Sequence, residues 1–278
     1  MTASALSSPG FQLIFGKQVE VAYHAAPASR GAILLLHEAL GSVSYWKDFP
    51  EQLCRATGYH VLSYSRPGHG NSEGPLEERA PAHYTRQVEE VIPAMLAIYG
   101  ISDPVLYGHS EGAAIAMLYA ASGRPTRALI LESPHLNPDK EVHKYVQHLV
   151  KSYPGSRLQS GLAKYHRDAD GVFSHWAEWV LRMKLEDYFP RELLSQIQCP
   201  VQVLQGARDE FGTGSHLDVL RQHLPDLESH VFAEAGHLPH REQTDALIAR
   251  VAQFLSARNF CTRPSQPIKS YERSKEIP

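Results

Sequence analysis

Short apolar runs recur along the chain and predict eight β-strands. Residues 12–15 and 19–24 alternate apolar with polar positions across Gly16 and Lys17, as the arms of a hairpin do. Residues 32–36 are apolar without interruption, which is typical of a strand that helices cover on both faces. Five further runs have strand character: residues 60–64, 104–107, 127–131, 200–205 and 229–232.

Helical patterns lie between most of these strands. The clearest is an apolar stripe at i, i+3, i+4, i+7, i+8 and i+11 over residues 88–99, which Pro93 is expected to kink. Alternating strands and helices predict a mostly parallel sheet with right-handed crossovers and helices on both faces.

One interval breaks the alternation, because residues 133–198 carry helical patterns and no convincing strand. The helical stretches are residues 139–151, 157–165 and 172–185. A structureless loop of about 65 residues is implausible in a compact domain, so this interval is interpreted as a helical insertion over the sheet. The predicted organisation is a core of residues 11–135 and 198–258, a helical cap or lid of residues 136–197, and a flexible tail of residues 259–278.

Composition narrows the class of protein. The formal charge of −3 is small and negative, which argues against binding through nucleic-acid phosphates. The three cysteines, Cys54, Cys199 and Cys261, lack C-x-x-C spacing and are interpreted as reduced structural thiols. No signal peptide and no run long enough to span a membrane is apparent, so we expect a cytoplasmic protein without a membrane partner.

The strongest chemical signal is Gly108-His109-Ser110-Glu111-Gly112, between a predicted strand and a helix that is apolar nearly all round. In G-x-S-x-G, the serine occupies a tight turn that exposes its hydroxyl, and the glycines let strand and helix approach closely. Strand, turn and helix around the motif therefore favour Ser110 as a nucleophile over a structural serine.

A serine hydroxyl needs a base, and that base needs an orienting acid. Asp209 follows the strand at 200–205, and His237 follows the strand at 229–232, so both are expected at the carboxyl edge of the sheet. Asp209 could instead cap a helix, and Glu210 is the rival acid. His240 is interpreted as a helix-start or rim residue.

With these residues in place, the chain resembles the α/β-hydrolase superfamily of lipases, esterases and lactonases, from about residue 11 to residue 255. Residues 37–41 (HEALG) are similar to the family's loop after the third strand, and residues 65–72 (SRPGHGNS) to its R-G-x-G-x-S loop after the fourth. The resemblance implies an eight-stranded α/β-hydrolase fold. It also implies that Ser110 is the nucleophile, His237 the base, Asp209 its orienter, and the N–H groups of Ala39 and Glu111 the oxyanion hole.

Two carboxylates depart from the common pattern. Glu38 stands where the family usually has the first glycine of the oxyanion loop. Glu111 has an acidic counterpart in the branch that resembles valacyclovir hydrolases, where it is associated with a substrate amine; alternatively, Glu111 turns away from the pocket and bonds locally. Both carboxylates would repel the dianionic substrates expected of the enol-lactonase-like branch, unless Arg66, Arg157 or Arg182 compensates for their charge.

The resulting hypothesis is a serine hydrolase that cleaves a small to medium carboxylic ester or lactone through an acyl-enzyme. Alternatives are C–C bond, amide or cofactor-free oxygen chemistry on the same fold, or a non-catalytic ligand receptor. No cofactor or metal is expected, since the glycine-rich loop at 68–74 is followed by carboxylates and no H-E-x-x-H pattern is present. Candidate pocket residues are Glu38, Tyr45, Trp46, His109, His135, Trp176 and Trp179.

Overall fold

Eight strands form a single sheet in the order β1-β2-β4-β3-β5-β6-β7-β8. The computed structural model describes residues 9–76, 81–136, 140–182, 189–211 and 214–258. The β1–β2 and β2–β4 pairs are antiparallel, and every other pair is parallel. The strands are β1 (Gly10–Ile14), β2 (Lys17–His24), β3 (Ala32–Leu36), β4 (His60–Tyr64), β5 (Val105–His109), β6 (Ala128–Glu132), β7 (Val201–Gly206) and β8 (Leu227–Phe232).

The predicted α/β-hydrolase fold is confirmed, since α-helices connect most of the parallel strands. The helices are α1 (Phe49–Thr57), α2 (Pro81–Arg86), α3 (Ile92–Ile98), α4 (Glu111–Ala121), α5 (Lys140–Ser152), α6 (Arg157–Leu162), α7 (Ala169–Arg182), α8 (Gly214–His223), α9 (Pro239–Glu242) and α10 (Thr244–Ala257). Among the described residues, no helix is both long enough and apolar enough to cross a membrane.

The central strands are mostly apolar, and β3 is apolar at every position, because each face of the sheet is buried. Successive side chains of a strand point to opposite faces. Leu34 and Leu36 of β3 accordingly belong to one apolar cluster, whereas Ile33 and Leu35 belong to another on the opposite face. Helix α4 packs in the first cluster and is buried along most of its length, which explains why its sequence is apolar nearly all round.

The helix around Pro93 contains a local irregularity, and the predicted kink itself stays a prediction. Residues Gln87–Val91 form one wide π-helical turn, and α3 continues from Ile92 with Pro93 as one of its first residues. A proline cannot donate a main-chain hydrogen bond and is tolerated in the first turn of a helix. The apolar stripe is buried both within and after this wide turn, at Val88, Val91, Ile92, Met95 and Leu96.

Helices α5, α6 and α7 lie between β6 and β7 and pack over the carboxyl edge of the sheet. Their buried side chains form an apolar cluster that includes Ala39, with Leu40 and Phe211 packed against it. The helical character predicted for this interval is therefore present. The predicted boundaries of the cap stay a prediction, and the predicted tail at 259–278 lies outside the described residues.

Candidate active site

Ser110 occupies a strained turn between β5 and α4. Its φ of +54° and ψ of −114° are values that residues with a side chain rarely adopt. A Cβ at Gly108 would lie 2.4 Å from the main-chain oxygen of Gly112, and a Cβ at Gly112 would lie 2.0 Å from that of Leu36. Both glycines are therefore required for helix α4 to start this close to β3 and β5.

Asp209 and His237 are joined by a hydrogen bond of 2.8 Å between Oδ1 of Asp209 and Nδ1 of His237. The carboxylate also accepts hydrogen bonds from Nε2 of Gln205 at 2.8 Å and from the main-chain N–H of Phe211 at 2.9 Å. Because the carboxylate accepts from Nδ1–H, the Nε2 of His237 carries the lone pair of the neutral ring. Asp209 therefore sets both the orientation and the tautomer of His237.

This pair shifts the pKa of each partner. Burial alone would lower the pKa of His237, but the hydrogen bond and charge of Asp209, with Glu38 and Glu210, raise it above 6.5. Burial alone would raise the pKa of Asp209, but His237, with His135 and the Phe211 N–H, lowers it well below its ordinary range. Asp209 is thus ionised at neutral pH beside a ring that can take up a proton.

Ser110 and His237 line one pocket at the carboxyl edge of the sheet. Ser110 is 9% exposed and His237 forms part of the same wall. Of the other predicted site residues, Ala39, Glu111, Glu38, Tyr45, His135, Trp176 and Trp179 also line this pocket.

Two of the predicted pocket residues, Trp46 and His109, do not belong to the lining of this pocket. Trp46 is buried against Phe49 and Tyr107, behind the pocket wall. His109 is buried as well, and its Nε2 donates to the main-chain oxygen of His237 at 2.8 Å. Residues next to a motif in sequence need not face its pocket, since successive positions of a strand such as β5 point in opposite directions.

Two further residues line the pocket: Phe211 contributes an aromatic ring and Glu210 a negative charge. The ring of Phe211 lies 4.8 Å from that of His237. Glu210 is exposed and lines the pocket together with Glu38, and both carboxylates raise the pKa of His237. Among the described residues, the pocket lining contains no lysine or arginine, so these carboxylates make its charge negative.

Glu111 does not present its carboxylate to the pocket. One carboxylate oxygen accepts from Arg66 at 2.5 Å and the other from the hydroxyl of Tyr84 at 3.1 Å. The side chains of Glu111 and Arg66 are each 2% exposed. The Glu111 carboxylate therefore turns away from the pocket, as in the alternative interpretation, but its partners are distant in sequence and not local.

A second buried histidine–carboxylate pair, His240 and Glu132, lies behind the pocket, and the sequence patterns did not predict it. His240 donates through Nδ1 and through its main-chain N–H to Glu132, which also accepts from the hydroxyl of Tyr107 at 2.8 Å. Burial alone would raise the pKa of Glu132, but His240 and His109 lower it to about 2. His240 is buried rather than at a rim. A charged residue at the end of an apolar strand was the sequence signal for Glu132.

His109, Glu132 and His240 also bring potential metal-ligand atoms within 4.8 Å of one another. In the structure, the Glu132 carboxylate is already bonded by three donors from His240 and Tyr107. A hydrogen-bond network therefore accounts for this cluster without a metal ion.

The eight-stranded, mostly parallel sheet with helices between its strands is the fold of the α/β-hydrolase class. Residues 33–250 match the model of the alpha/beta hydrolase family, and the chain belongs to that family.

Curated relatives and a solved structure resemble the chain over most of its length. Proline iminopeptidase of Lactobacillus delbrueckii subsp. lactis is 25% identical and is matched over 76% of this chain and 85% of its own. Serine hydrolase BPHL of Mus musculus is 25% identical over 85% of this chain and 83% of its own. The enol-lactonase from Burkholderia xenovorans LB400 superposes with a TM-score of 0.69 at 17% identity, over 89% of this chain and 100% of the lactonase, which shows a shared fold.

Proposed function

We propose that the protein hydrolyses small to medium carboxylic esters or lactones through a covalent acyl-enzyme. The observation that carries this proposal is the His237–Asp209 hydrogen bond beside the pocket that Ser110 also lines. The strained turn at Ser110 supports it, because strain of this kind persists where the surrounding structure enforces it and is frequent at active sites.

In the proposed mechanism, Nε2 of His237 takes the proton of Ser110 as Oγ attacks the substrate carbonyl. The tetrahedral oxyanion accepts hydrogen bonds from the main-chain N–H groups of Ala39 and Glu111. His237 then protonates the leaving alkoxide, which departs and leaves an ester on Ser110. A water molecule, deprotonated by His237, attacks that ester; the bond between Oγ and the acyl carbon then breaks, the carboxylic acid leaves, and His237 returns the proton to Oγ of Ser110. Asp209 orients the imidazole and stabilises its protonated form.

The decisive test compares Ser110→Ala with the wild-type protein and with Ser133→Ala, a second serine at positive φ after the neighbouring strand. Ser110→Ala should lower kcat for p-nitrophenyl acetate by at least about 10³-fold. A fluorophosphonate probe should label the wild type and Ser133→Ala but not Ser110→Ala. Undiminished turnover in folded Ser110→Ala would overturn the proposal.

Amide hydrolysis is a second candidate, because several of the matched relatives are proline iminopeptidases. The same acyl-enzyme could form from an amide if His237 protonates the leaving amine. Comparing prolyl p-nitroanilide with a p-nitrophenyl ester separates the candidates. A larger kcat/KM for the anilide would favour the peptidase.

A further inference from the structure

The loop between β3 and the 3₁₀ turn at Ser44–Trp46 has an unusual set of carbonyl contacts. We define residues 37–40 as the oxyanion loop, since it contains Ala39. Each of its four main-chain oxygens lies within hydrogen-bond distance of a side-chain nitrogen. The guanidinium of Arg66 donates to the main-chain oxygen of His37 at 2.6 Å and to that of Glu38 at 3.1 Å. The ring of His69 lies 3.1 Å from the oxygen of Ala39, and the ring of His166 lies 2.8 Å from the oxygen of Leu40.

The contact between Arg66 and the Glu38 oxygen bears directly on Ala39. The carbonyl of Glu38 and the N–H of Ala39 belong to one planar trans peptide unit, in which they point in opposite directions. Arg66 holds this oxygen together with Nδ1 of His37 at 2.7 Å and the main-chain N–H of Gly41 at 3.1 Å, and the three donors fix the direction of the Ala39 N–H. The contact between Arg66 and the Glu38 oxygen thus contributes to the orientation of the Ala39 N–H, one of the two proposed oxyanion donors.

The same guanidinium reaches the residue that supplies the other donor. Nη2 of Arg66 donates both to the Glu38 oxygen and to a carboxylate oxygen of Glu111. Glu111 directly follows Ser110, and its main-chain N–H is the second proposed donor. Because a guanidinium is planar and rigid, it holds its partners in a fixed relative geometry. Arg66 thus connects the two sides of the oxyanion hole.

Packing alone does not explain a charged pair at this position. Both side chains are 2% exposed, and removing two charges from water costs free energy that their attraction often fails to offset. The pair also removes the net charge of Glu111, which would otherwise oppose negative charge that forms on the substrate. These two effects favour a role in the reaction over a role in stability.

We propose that the Arg66–Glu111 ion pair is a positioning device that aligns the N–H groups of Ala39 and Glu111 on the developing oxyanion. This inference rests on the proposed function. Neither side chain touches the substrate, and both act through the main chain. Their loss should therefore lower kcat and leave KM nearly unchanged.

The test uses four variants: Arg66→Met, Arg66→Lys, Glu111→Gln and the double variant Arg66→Met/Glu111→Leu. The double variant replaces a buried ion pair with apolar side chains, a change that is often neutral or stabilising, so it keeps the fold testable if Arg66→Met unfolds. With p-nitrophenyl acetate, it should lose about 10²-fold in kcat while KM changes by less than about threefold. Arg66→Lys should recover only part of the kcat that Arg66→Met loses. An ammonium group keeps the positive charge, but it cannot hold all of the oxygens that the planar guanidinium bonds.

Arg127→Met is the matched control. Arg127 also bonds a carboxylate and a main-chain oxygen, those of Asp103 and Arg30, but it precedes β6 at the opposite edge of the sheet. This control should keep wild-type kcat. A folded double variant with wild-type kcat, or an equal loss in Arg127→Met, would overturn the inference.

Ser110→Ala separates this inference from the proposed function. If Ser110→Ala loses activity and the double variant does not, the inference alone fails. If Ser110→Ala stays fully active, the proposed function fails and the inference fails with it.

Discussion

His109 and His237 are joined by a hydrogen bond in which Nε2 of His109 donates to the main-chain oxygen of His237 over 2.8 Å. His109 ends the strand that leads into Ser110, whereas His237 lies 128 residues further along the chain. The bond therefore ties the candidate nucleophile's strand to the candidate base's loop. The ring of His109 also lies 5.1 Å from that of His240, so His109 contacts the buried hydrogen-bond network of Glu132 as well.

Breaking this bond should loosen the loop that carries His237. We expect His109→Leu to lower kcat by about tenfold or more, since small misplacements of reacting groups are costly. Its free energy of unfolding at pH 7 should fall by about 1–3 kcal/mol, because the His237 oxygen loses its donor. His148→Leu, on the exposed face of α5, is the control for both measurements. Equal kcat in the two variants would show that the bond does not position His237.

Mild acid should destabilise the folded chain. Burial lowers the pKa of His37, His109, His135 and His166, that of His109 to about 4. A histidine with a lowered pKa in the folded state contributes stability that is complete above pH 6.5 and is lost as the pH falls towards the folded-state pKa. For His109 alone, the loss by pH 4 is about 3 kcal/mol.

Thermal unfolding between pH 7.5 and pH 4.5 measures this effect. His166 accepts from the Gly70 N–H through Nδ1 and donates to the Leu40 oxygen through Nε2. Glutamine can also accept and donate but does not titrate, so His166→Gln should reduce the acid-induced fall in Tm. A Tm that is constant over this range would contradict the prediction.

The rate of ester hydrolysis should rise with pH through a midpoint above 6.5. Only neutral His237 can accept the Ser110 proton, and its pKa is raised by Asp209, Glu38 and Glu210 despite burial. In Glu38→Gln and Glu210→Gln, one of these charges is removed, so the midpoint should move to lower pH. The pH dependence of kcat/KM reports the pKa in the free enzyme. An unchanged midpoint in both variants would contradict this assignment.

The pocket should prefer neutral or amine-bearing acyl groups to carboxylate-bearing ones. Glu38 and Glu210 line it, whereas the Glu111 carboxylate is paired with Arg66. We expect p-nitrophenyl succinate to have a KM at least about tenfold above that of the butyrate, and the 4-aminobutyrate ester to have the lowest KM.

The double variant Glu38→Gln/Glu210→Gln should bring the three KM values together. Assays at low and high salt provide a second check, because the attraction and repulsion of exposed charges such as Glu210 are screened by ions. A preference for the succinate ester in the wild type would reverse the predicted charge of the pocket.

Much of the fold was predictable because it depends on local pattern. Residues 32–36 and 60–64 are strands as predicted, since a parallel strand that is covered on both faces consists mostly of apolar residues. The turn at Ser110 was also predictable, because its two glycines are required by contacts within a short segment and with β3.

The remainder depends on pairs that are distant in sequence. The partner of Glu132 is His240, and the partner of Glu111 is Arg66; only the assembled sheet brings them together. Local pattern assigned Trp46 to the pocket, although it lies behind the wall because its ring packs on Tyr107 and His240. Tertiary packing decides where the side chains at these positions point, and the pattern of apolar and polar residues along the sequence carries no information about that packing.

His166 ties the helical insertion to both loops beneath it, through the Leu40 oxygen and the Gly70 N–H. Replacing the helical insertion with a foreign one, in order to change the range of substrates, would remove His166. One of the four side-chain contacts to the main-chain oxygens of residues 37–40 would then be lost. Chimeras should keep a histidine at this point, or turnover will drop even for substrates that fit the new pocket.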